Sequence, residues 1–206
     1  SNIVIEGVKK LKDVSYNIMA DRIEAGTFLC LGAINRTNLL IKNVNVEYIM
    51  PAIDKLQEMG CNFKIEKNQI EIKAPQKING VNIKTMPYPG FPTDMQSIFA
   101  TVLTTAKGTS IITENIFESR FKYMQELNRM GAKIVTEGRT AIIKGTKKLF
   151  GTNVKATDLR GGAALVLAGT VAKGFTSIEN IEYILRGYEK FETKLQNIGV
   201  NIEKVI

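Results

Sequence analysis

The phrase Asp54-Lys-Leu-Gln-Glu-Met-Gly60 recurs twice in the chain, as Gln125-Glu-Leu-Asn-Arg-Met-Gly131 and as Thr193-Lys-Leu-Gln-Asn-Ile-Gly199. The closing glycines lie 71 and then 68 residues apart, a period that indicates a supersecondary unit and not a short solenoid repeat. Apolar residues precede each glycine at intervals of three and four, which is the spacing of an amphipathic helix. Glycine readily adopts the left-handed conformation that ends a helix. The sequence therefore predicts repeated units, each with a helix that ends at a glycine.

Short alternating segments follow these helices and predict β-strands. The first helix is followed by strands at Asn62–Glu66 and Gln69–Lys73, and the second by strands at Lys133–Glu137 and Thr140–Lys144. The third helix is followed by one such strand only before the sequence ends. The third unit is therefore expected to be truncated.

The first half of the unit recurs as well. Similar segments begin at Leu11, Ile78 and Leu149, and each leads through a strand to an aspartate at the start of a helix. The aspartates are Asp21, Asp94 and Asp158, and the helices behind them cover Ala25–Ile34, Met95–Leu103 and Gly161–Ala172. These helices are apolar on nearly every side, which predicts that they are buried.

One unit thus consists of strand, buried helix, strand, amphipathic helix, strand and strand. Its copies cover approximately residues 1–76, 77–147 and 148–206. Because no linker separates them, the predicted fold class is α/β, with one pseudo-threefold domain over residues 1–206.

The composition excludes several classes of mechanism. The chain has no histidine, so Ser-His-Asp triads, Cys-His dyads and His-ligated zinc cannot form. Its two cysteines, Cys30 and Cys61, are too few for a structural zinc site and favour a reducing compartment over a disulfide framework. Neither a phosphate loop nor a dinucleotide-binding fingerprint occurs. Any chemistry must therefore use carboxylates, Arg, Lys and the backbone.

The net charge of +8, from 28 Lys and Arg against 20 Asp and Glu, raises nucleic-acid binding as an alternative function. The lysines are spread over strands and turns, as at Lys64, Lys73 and Lys144, and form no basic stripe. A solvated surface is the favoured interpretation, although a cleft for anionic substrates would also use positive charge. No apolar stretch approaches the roughly 20 residues that span a bilayer. Neither nucleic acid nor a membrane is expected as a partner.

Five phrases carry a family resemblance that no single one of them would establish. They are Ala20-Asp-Arg-Ile-Glu-Ala-Gly-Thr-Phe28, Phe91-Pro-Thr-Asp-Met-Gln96, Thr113-Glu-Asn-Ile-Phe-Glu-Ser-Arg-Phe121, Ala156-Thr-Asp-Leu-Arg160 and Arg186-Gly-Tyr-Glu189. In this order, and over almost the whole chain, the sequence resembles the UDP-N-acetylglucosamine 1-carboxyvinyltransferases, a family of enolpyruvyl transferases.

The resemblance implies an inside-out α/β barrel domain, one of two that enclose the active site. It also implies transfer of the enolpyruvyl group of phosphoenolpyruvate to UDP-N-acetylglucosamine with release of phosphate, without a metal or organic cofactor. This reaction is the first committed step of peptidoglycan synthesis, so a cytoplasmic enzyme of cell wall biogenesis, cell shape and cell division is expected. The alternatives are a related enzyme such as 3-phosphoshikimate 1-carboxyvinyltransferase, and a non-catalytic basic binding or assembly module.

The chain matches only the later part of the family's sequence. The family's other domain carries the mobile loop with its reactive cysteine and most of the nucleotide contacts, and we expect it to be absent here. Neither Cys30 nor Cys61 lies in the context of that loop. The family's first residues, which supply strands to the third unit, are also expected to be missing. The isolated domain is therefore expected to be inactive, with the other domain of the same chain as its partner.

Asp94 is the predicted catalytic residue. By resemblance it contacts the hydroxyl of the acceptor sugar and helps to remove its proton, which is the work of a general base. The alternative role is a helix N-cap, because Asp is a common cap and Asp21 and Asp158 stand at equivalent points of the other units. Both roles can coexist, since a cap fixes its side chain at the helix start.

Arg186 is predicted by resemblance to bind phosphoenolpyruvate, because a planar guanidinium suits bidentate contact with an anion. The alternative is an exposed arginine in the first turn of the last helix, where the helix dipole opposes a cation. The sequence departs from the family just before this arginine: Tyr183 and Leu185 stand where the family has His and Asp. The departure changes the groups that would support a ligand-binding arginine.

Four further residues complete the predicted substrate-binding set. By resemblance, Arg120 and Arg160 lie around the cleft and handle substrate anions and closure, with ion pairs to neighbouring carboxylates as the alternative. Ile116 and Phe117 correspond to the hydrophobic pair beside the nucleotide sugar, with core packing at the end of a strand as the alternative.

Overall fold

The structure, a computed structural model, describes residues 2–205. Its α-helices are α1 (Arg22–Asn35), α2 (Met50–Glu58), α3 (Gln96–Leu103), α4 (Tyr123–Arg129), α5 (Leu159–Val171), α6 (Glu182–Leu185) and α7 (Phe191–Asn197). Its β-strands are β1 (Asn38–Lys42), β2 (Asn62–Glu66), β3 (Gln69–Lys73), β4 (Ile83–Lys84), β5 (Thr109–Thr113), β6 (Lys133–Glu137), β7 (Thr140–Lys144), β8 (Leu149–Phe150), β9 (Asn153–Lys155), β10 (Ala172–Lys173) and β11 (Ser177–Glu179). Turns of 3₁₀ helix at Val46–Ile49 and Thr93–Met95 precede α2 and α3. Over residues 2–205, no helix is both long and apolar enough to cross a membrane.

Helices α1, α3 and α5, one from each unit, form the centre of the domain and contact one another pairwise. Each contributes large side chains that are fully buried, such as Leu29, Phe99 and Leu165. A helix with apolar residues on all sides gains most when all its faces leave water. The predicted buried helices are confirmed, with ends that differ by up to three residues.

The amphipathic helices α2, α4 and α7 pack around this centre and end as predicted. Each is followed by a glycine with a positive φ: +104° at Gly60, +89° at Gly131 and +92° at Gly199. Residues other than glycine rarely adopt this conformation, so the repeated glycine has a direct structural cause.

The sheets lie on the outside of the helices and follow the predicted strands. In the first unit the order is β1-β3-β2, with all neighbours antiparallel. In the second unit it is β4-β5-β7-β6, with β4 parallel to β5. The inward side chains Ile70, Ile72 and Ile143 are fully buried. Helices inside and sheets outside form the predicted inside-out α/β arrangement.

The third unit is less complete than the sequence predicts. Its strands form two parallel pairs, β8 with β10 and β9 with β11. Residues 200–205 form no strand, so the strand expected after Gly199 is a wrong prediction. The cause is the absence of a neighbouring strand within residues 2–205, because an extended segment without a pairing partner is not stable by itself.

The strand expected after Leu11 is also wrong. Residues 2–20 form neither helix nor strand, and side chains such as Leu11, Val14 and Ile18 are more than four-fifths exposed. In the other two units the corresponding strands pair in parallel, β4 with β5 and β9 with β11. In the first unit β1 pairs with β3 only, so the segment before α1 lacks the hydrogen bonds that would make it a strand.

Candidate active site

Two of the three repeated aspartates cap helices. Asp21 Oδ1 accepts hydrogen bonds from the backbone N–H groups of Ile23 and Glu24, at 2.7 and 3.2 Å. Asp158 Oδ1 accepts from those of Arg160 and Gly161, at 3.0 and 2.8 Å. Each carboxylate thereby satisfies two backbone donors at the start of a central helix, an arrangement worth about 1 kcal/mol.

Asp94 does not cap a helix, which corrects the capping alternative at this position. It lies in the 3₁₀ turn Thr93–Met95, and its carboxylate turns instead towards two arginines. Oδ1 accepts from Arg120 Nη2 at 2.7 Å, and Oδ2 accepts from Arg160 Nη2 at 3.3 Å. Arg120 also donates through Nη1 to Thr93 Oγ1 at 2.9 Å. The structure thus brings together three residues that the sequence assigned to the site.

The two arginines determine the protonation state of Asp94. Partial burial by itself would raise the pKa of the carboxyl, but the hydrogen bonds and charges of Arg120 and Arg160 outweigh it and lower the pKa of Asp94 overall. The side chain of Asp94 is 40% exposed, so solvent screens part of this attraction. Asp94 is therefore ionised at neutral pH and available as a hydrogen-bond acceptor.

Asp94 borders an open cleft of about 360 Å³. The cleft is lined by Asp94, Phe117, Ser119, Arg120, Lys122, Thr157, Asp158, Leu159, Arg160 and Arg186. Four cationic side chains face two carboxylates there, which leaves a positive excess. Such a cleft favours anionic ligands, because positive potential concentrates them at the site.

Arg160 has unused hydrogen-bonding capacity in this cleft. It is only 9% exposed, and Nε and Nη1 find no hydrogen-bond partner within residues 2–205. Its guanidinium carbon lies 5.3 Å from the ring centroid of the buried Tyr188, so cation–π attraction helps to hold it. Buried N–H groups without acceptors are costly, and a ligand oxygen would satisfy them.

Arg186 lines the same cleft but differs from expectation in its backbone context. It is the C-cap of α6, and α7 begins only at Phe191. The prediction that it lies in the first turn of the last helix is therefore wrong, and the short helix before it favours a cation at its C-terminal end. The guanidinium carbon lies 5.9 Å from the ring centroid of Tyr183, and Leu185 is 38% exposed.

Ile116 and Phe117 are not core residues, which corrects the packing alternative. They are 38% and 51% exposed, on the turn that follows β5. Phe117 lines the cleft, and its ring centroid lies 5.0 Å from the guanidinium carbon of Arg120. Ile116 is beside it in sequence but does not line the cleft. The structure thus brings Phe117 to the site and leaves Ile116 next to it.

Residues 1–195 match the sequence profile of the family described as EPSP synthase (3-phosphoshikimate 1-carboxyvinyltransferase). The match covers far more than half of the chain. The chain belongs to the EPSP synthase family.

Within this family, individual relatives carry the name that the sequence phrases suggested. UDP-N-acetylglucosamine 1-carboxyvinyltransferase 2 of Caldanaerobacter subterraneus subsp. tengcongensis is 49% identical over 207 residues, covering 100% of this chain and 50% of the relative. UDP-N-acetylglucosamine 1-carboxyvinyltransferase of Thermotoga maritima is 48% identical, covering 100% and 49%. The predicted resemblance is confirmed. The chain spans about half the length of the curated relatives it matches.

Two solved structures support the fold. The enolpyruvyl transferase NikO from Streptomyces tendae matches with a TM-score of 0.81 at 26% identity, over 90% of this chain and 44% of that one. EPSP synthase from Acinetobacter baumannii matches with a TM-score of 0.70 at 18% identity, over 92% and 44%. The second likeness concerns the fold alone. The predicted inside-out α/β class is thereby confirmed.

Several residues near the cleft were not predicted from the sequence. Lys122 and Ser119 line the cleft, and Tyr188 lies under Arg160. Glu114, which is 1% exposed, organises the turn that carries Phe117. A signal for Glu114 was present in the sequence, since a carboxylate directly after an apolar strand must find donors if it is buried.

The cysteines lie away from the cleft. Cys30 and Cys61 are both buried and free. Burial raises the pKa of Cys61 to about 11 and that of Cys30 well above its usual range. Thiols in this state are poor nucleophiles at neutral pH, in agreement with the expectation that neither is a reactive cysteine.

Proposed function

We propose that the whole protein transfers the enolpyruvyl group of phosphoenolpyruvate to UDP-N-acetylglucosamine and releases phosphate. The observation that carries the proposal is the carboxylate of Asp94, held between Arg120 and Arg160 in a cleft with an excess of positive charge. Both substrates are anions, so the cleft matches their charge. The names of relatives at 48–49% identity support the same reaction.

Two halves of the protein build the complete site in this proposal. The present chain contributes the wall with Asp94 and the arginines, and the half of the relatives that it does not cover contributes the opposite wall. The cleft is open to solvent, which leaves room for a second wall. We propose a cytoplasmic enzyme of peptidoglycan synthesis, and so of cell wall biogenesis, cell shape and cell division.

The reaction replaces one bond at C2 of phosphoenolpyruvate by another. The acceptor oxygen bonds to C2, the bond from C2 to the phosphate oxygen breaks, and the hydroxyl proton leaves the acceptor. Asp94 is the group that takes this proton, because its carboxylate is ionised and its side chain is 40% exposed. Arg186 binds the phosphoenolpyruvate anion, and Phe117 packs on the sugar with Ile116 beside it.

Substrate anions would also change the basicity of Asp94. Both of its oxygens are held by arginines, which makes it a weak base. An anion that draws Arg160 or Arg120 towards itself removes positive charge from the carboxylate, and the pKa of Asp94 then rises towards its ordinary value. Binding of the substrates would therefore strengthen the base that the reaction needs.

The test is phosphate release from the two substrates by the full-length protein. The variants Asp94→Ala and Arg186→Ala are compared with Asp54→Ala on α2 and Arg129→Ala on α4, both of which lie on the surface away from the cleft. We expect the first two to lose at least about a hundredfold in kcat/KM while they stay folded, and the two controls to match the unaltered protein. An unaltered protein that releases phosphate only with 3-phosphoshikimate would instead assign the rival reaction. Turnover by Asp94→Ala at the normal rate would contradict its role.

A further inference from the structure

Glu114 follows β5 directly and is almost completely buried, with 1% of its surface exposed. Its carboxylate does not line the cleft. Oε1 accepts a hydrogen bond from Thr85 Oγ1 at 2.7 Å and from the backbone N–H groups of Ile116 and Phe117 at 2.8 and 3.1 Å. One oxygen thereby holds the turn that carries Phe117 into the cleft.

The other oxygen of Glu114 reaches the site through a side chain. Oε2 accepts from Thr93 Oγ1 at 2.8 Å and from Gln96 Nε2 at 3.3 Å. Thr93 Oγ1 in turn accepts from Arg120 Nη1 at 2.9 Å, and Arg120 holds Asp94. A short chain of hydrogen bonds therefore joins the buried carboxylate to the candidate base.

The direction of each hydrogen bond between Glu114 and Asp94 is fixed. Arginine only donates, so Thr93 Oγ1 must accept from Arg120 and use its single proton towards Glu114. Gln96 Oε1 accepts from Tyr123 Oη at 2.7 Å, which turns the amide nitrogen of Gln96 towards Glu114. Thr93 Oγ1 and Gln96 Nε2 thus both donate to Oε2 of Glu114. If glutamine replaced Glu114, an amide nitrogen in the position of Oε2 would face these two donors and could not accept from either.

We propose that Glu114 is a positioning residue: through Thr93 it orients Arg120 against Asp94, and through two backbone N–H groups it holds Phe117 at the cleft. The proposal rests on the proposed function, since Arg120, Asp94 and Phe117 are the groups given to the reaction there. Glu114 itself touches neither substrate. It acts by keeping one hydroxyl and one turn in a single arrangement, which is the support that an active site requires from its surroundings.

The experiment uses the full-length protein and substitutions of nearly equal volume. Glu114→Gln places an amide nitrogen against two donors, Thr93→Val removes the linking hydroxyl, and Thr93→Ser keeps it. Glu137→Gln, at the exposed end of β6, is the matched control. We expect kcat/KM for enolpyruvyl transfer to fall at least about tenfold in Glu114→Gln and in Thr93→Val, and to stay within about twofold in Thr93→Ser and in the control.

A double-mutant cycle separates positioning from general loss of structure. If Glu114 acts through Thr93, the variant with both substitutions is no worse than Glu114→Gln by more than about twofold, because both changes break the same chain. Losses that multiply in the double variant would overturn the proposal, as would an unchanged kcat/KM in folded Glu114→Gln or Thr93→Val. Thr93→Val keeps the test valid if Glu114→Gln does not fold.

A second measurement separates this proposal from the proposed function. The pKa of Asp94, followed by carboxyl NMR, depends on the charges of Arg120 and Arg160 that face it and does not depend on which reaction is catalysed. We expect this pKa to rise in Glu114→Gln and Thr93→Val, because Arg120 loosens, and to stay the same in Glu137→Gln. A protein without transferase activity that still has these shifts would refute the proposed function and keep the positioning role. Unchanged pKa values in all variants would overturn the positioning role.

Discussion

Replacing aspartate by asparagine has different consequences at Asp94 and at Asp158. Asparagine caps a helix as well as aspartate does. In Asp158→Asn the side-chain oxygen keeps its bonds to the N–H groups of Arg160 and Gly161. The charge at the helix start is lost, at a cost of about 0.3–1 kcal/mol, and the hydrogen bond from Thr157 Oγ1 to Oδ2 is reversed, because the amide group that replaces Oδ2 donates to the hydroxyl. In Asp94→Asn an NH₂ group must face one of two arginines.

The cost at Asp94 follows from the burial of Arg160. Nη2 of Arg160 donates to Asp94, while Nε and Nη1 have no partner within residues 2–205. Asp94→Asn therefore deprives a buried guanidinium of its carboxylate, which we expect to lower the free energy of unfolding by about 1–2 kcal/mol, allowing for the 40% exposure of Asp94. For a domain of this size that corresponds to a decrease in Tm of about 2–8 °C.

Urea unfolding of a double-mutant cycle checks this reasoning. In an Arg160→Met background the buried cation is gone, and Asp94→Asn should cost at least about 0.5 kcal/mol less than in the unaltered protein. Asp158→Asn, with its backbone bonds intact, should cost about the same in both backgrounds. An equal cost of Asp94→Asn with and without Arg160 would refute the argument.

The loss of stability in Asp94→Asn also depends on pH. Burial alone would raise the pKa of Asp94, but Arg120 and Arg160 lower it overall. A carboxyl whose pKa is lowered by folding stabilises fully above its unfolded pKa of about 3.9, and this stabilisation is lost as pH falls through the folded-state pKa. The deficit of Asp94→Asn is therefore expected at neutral pH and should shrink below about pH 4.

Two further predictions concern packing and thiol reactivity. In Gly145→Ala the added Cβ would overlap the carbonyl oxygen of Ala106, so the free energy of unfolding should fall by more than about 3 kcal/mol. Gly108→Ala, where φ is +96° and the space around the added Cβ is open, should lose only about 1–2 kcal/mol in urea unfolding. Equal losses in the two variants would contradict the steric explanation. Cys30 and Cys61 should resist alkylation at pH 8 in the folded protein, because burial raises the pKa of both thiols. Both should react after unfolding, and mass spectrometry measures the extent of labelling. Rapid labelling of the folded chain would contradict this prediction.

Local patterns were sufficient to predict most of the elements. The four strands of the two hairpins have the predicted bounds, β2 and β3 in one and β6 and β7 in the other. The glycines after α2, α4 and α7 have the predicted positive φ. These features depend on alternation and on one residue's conformational freedom, both of which are visible within about ten residues of sequence.

Features that depend on distant partners could not be predicted in this way. The rule that an aspartate before a helix caps it holds for Asp21 and Asp158 and is wrong for Asp94, whose partners lie 26 and 66 residues away. The segment before α1 alternates like a strand, yet no neighbouring strand pairs with it in residues 2–205. The orientation of Asp94 and the absence of a strand before α1 both depend on tertiary contacts, which the neighbouring residues in the sequence do not indicate.

Comparison of the three repeated units shows where the second unit departs from the local preference of the other two. Asn43 directly follows β1 in the first unit and Asn180 directly follows β11 in the third, with φ of 57° and 60°. Asparagine tolerates this left-handed conformation better than most residues. In the second unit the corresponding residue, directly after β5, is Glu114. Glu114 is buried, and its carboxylate accepts hydrogen bonds from five donors.

The second unit also carries Asp94, the aspartate that does not cap its helix. The three units have similar local sequence patterns, so similar local structure is expected in each. The differences at Asp94 and Glu114 must therefore come from interactions with residues outside these local patterns. At Asp94, one of these interactions is the ion pair with Arg160 of the third unit. Both departures lie within one hydrogen-bonded chain, from Glu114 through Thr93 and Arg120 to Asp94. The second unit thus departs from the local pattern of the other two at two linked positions, which is the arrangement expected where a functional site competes with regular structure.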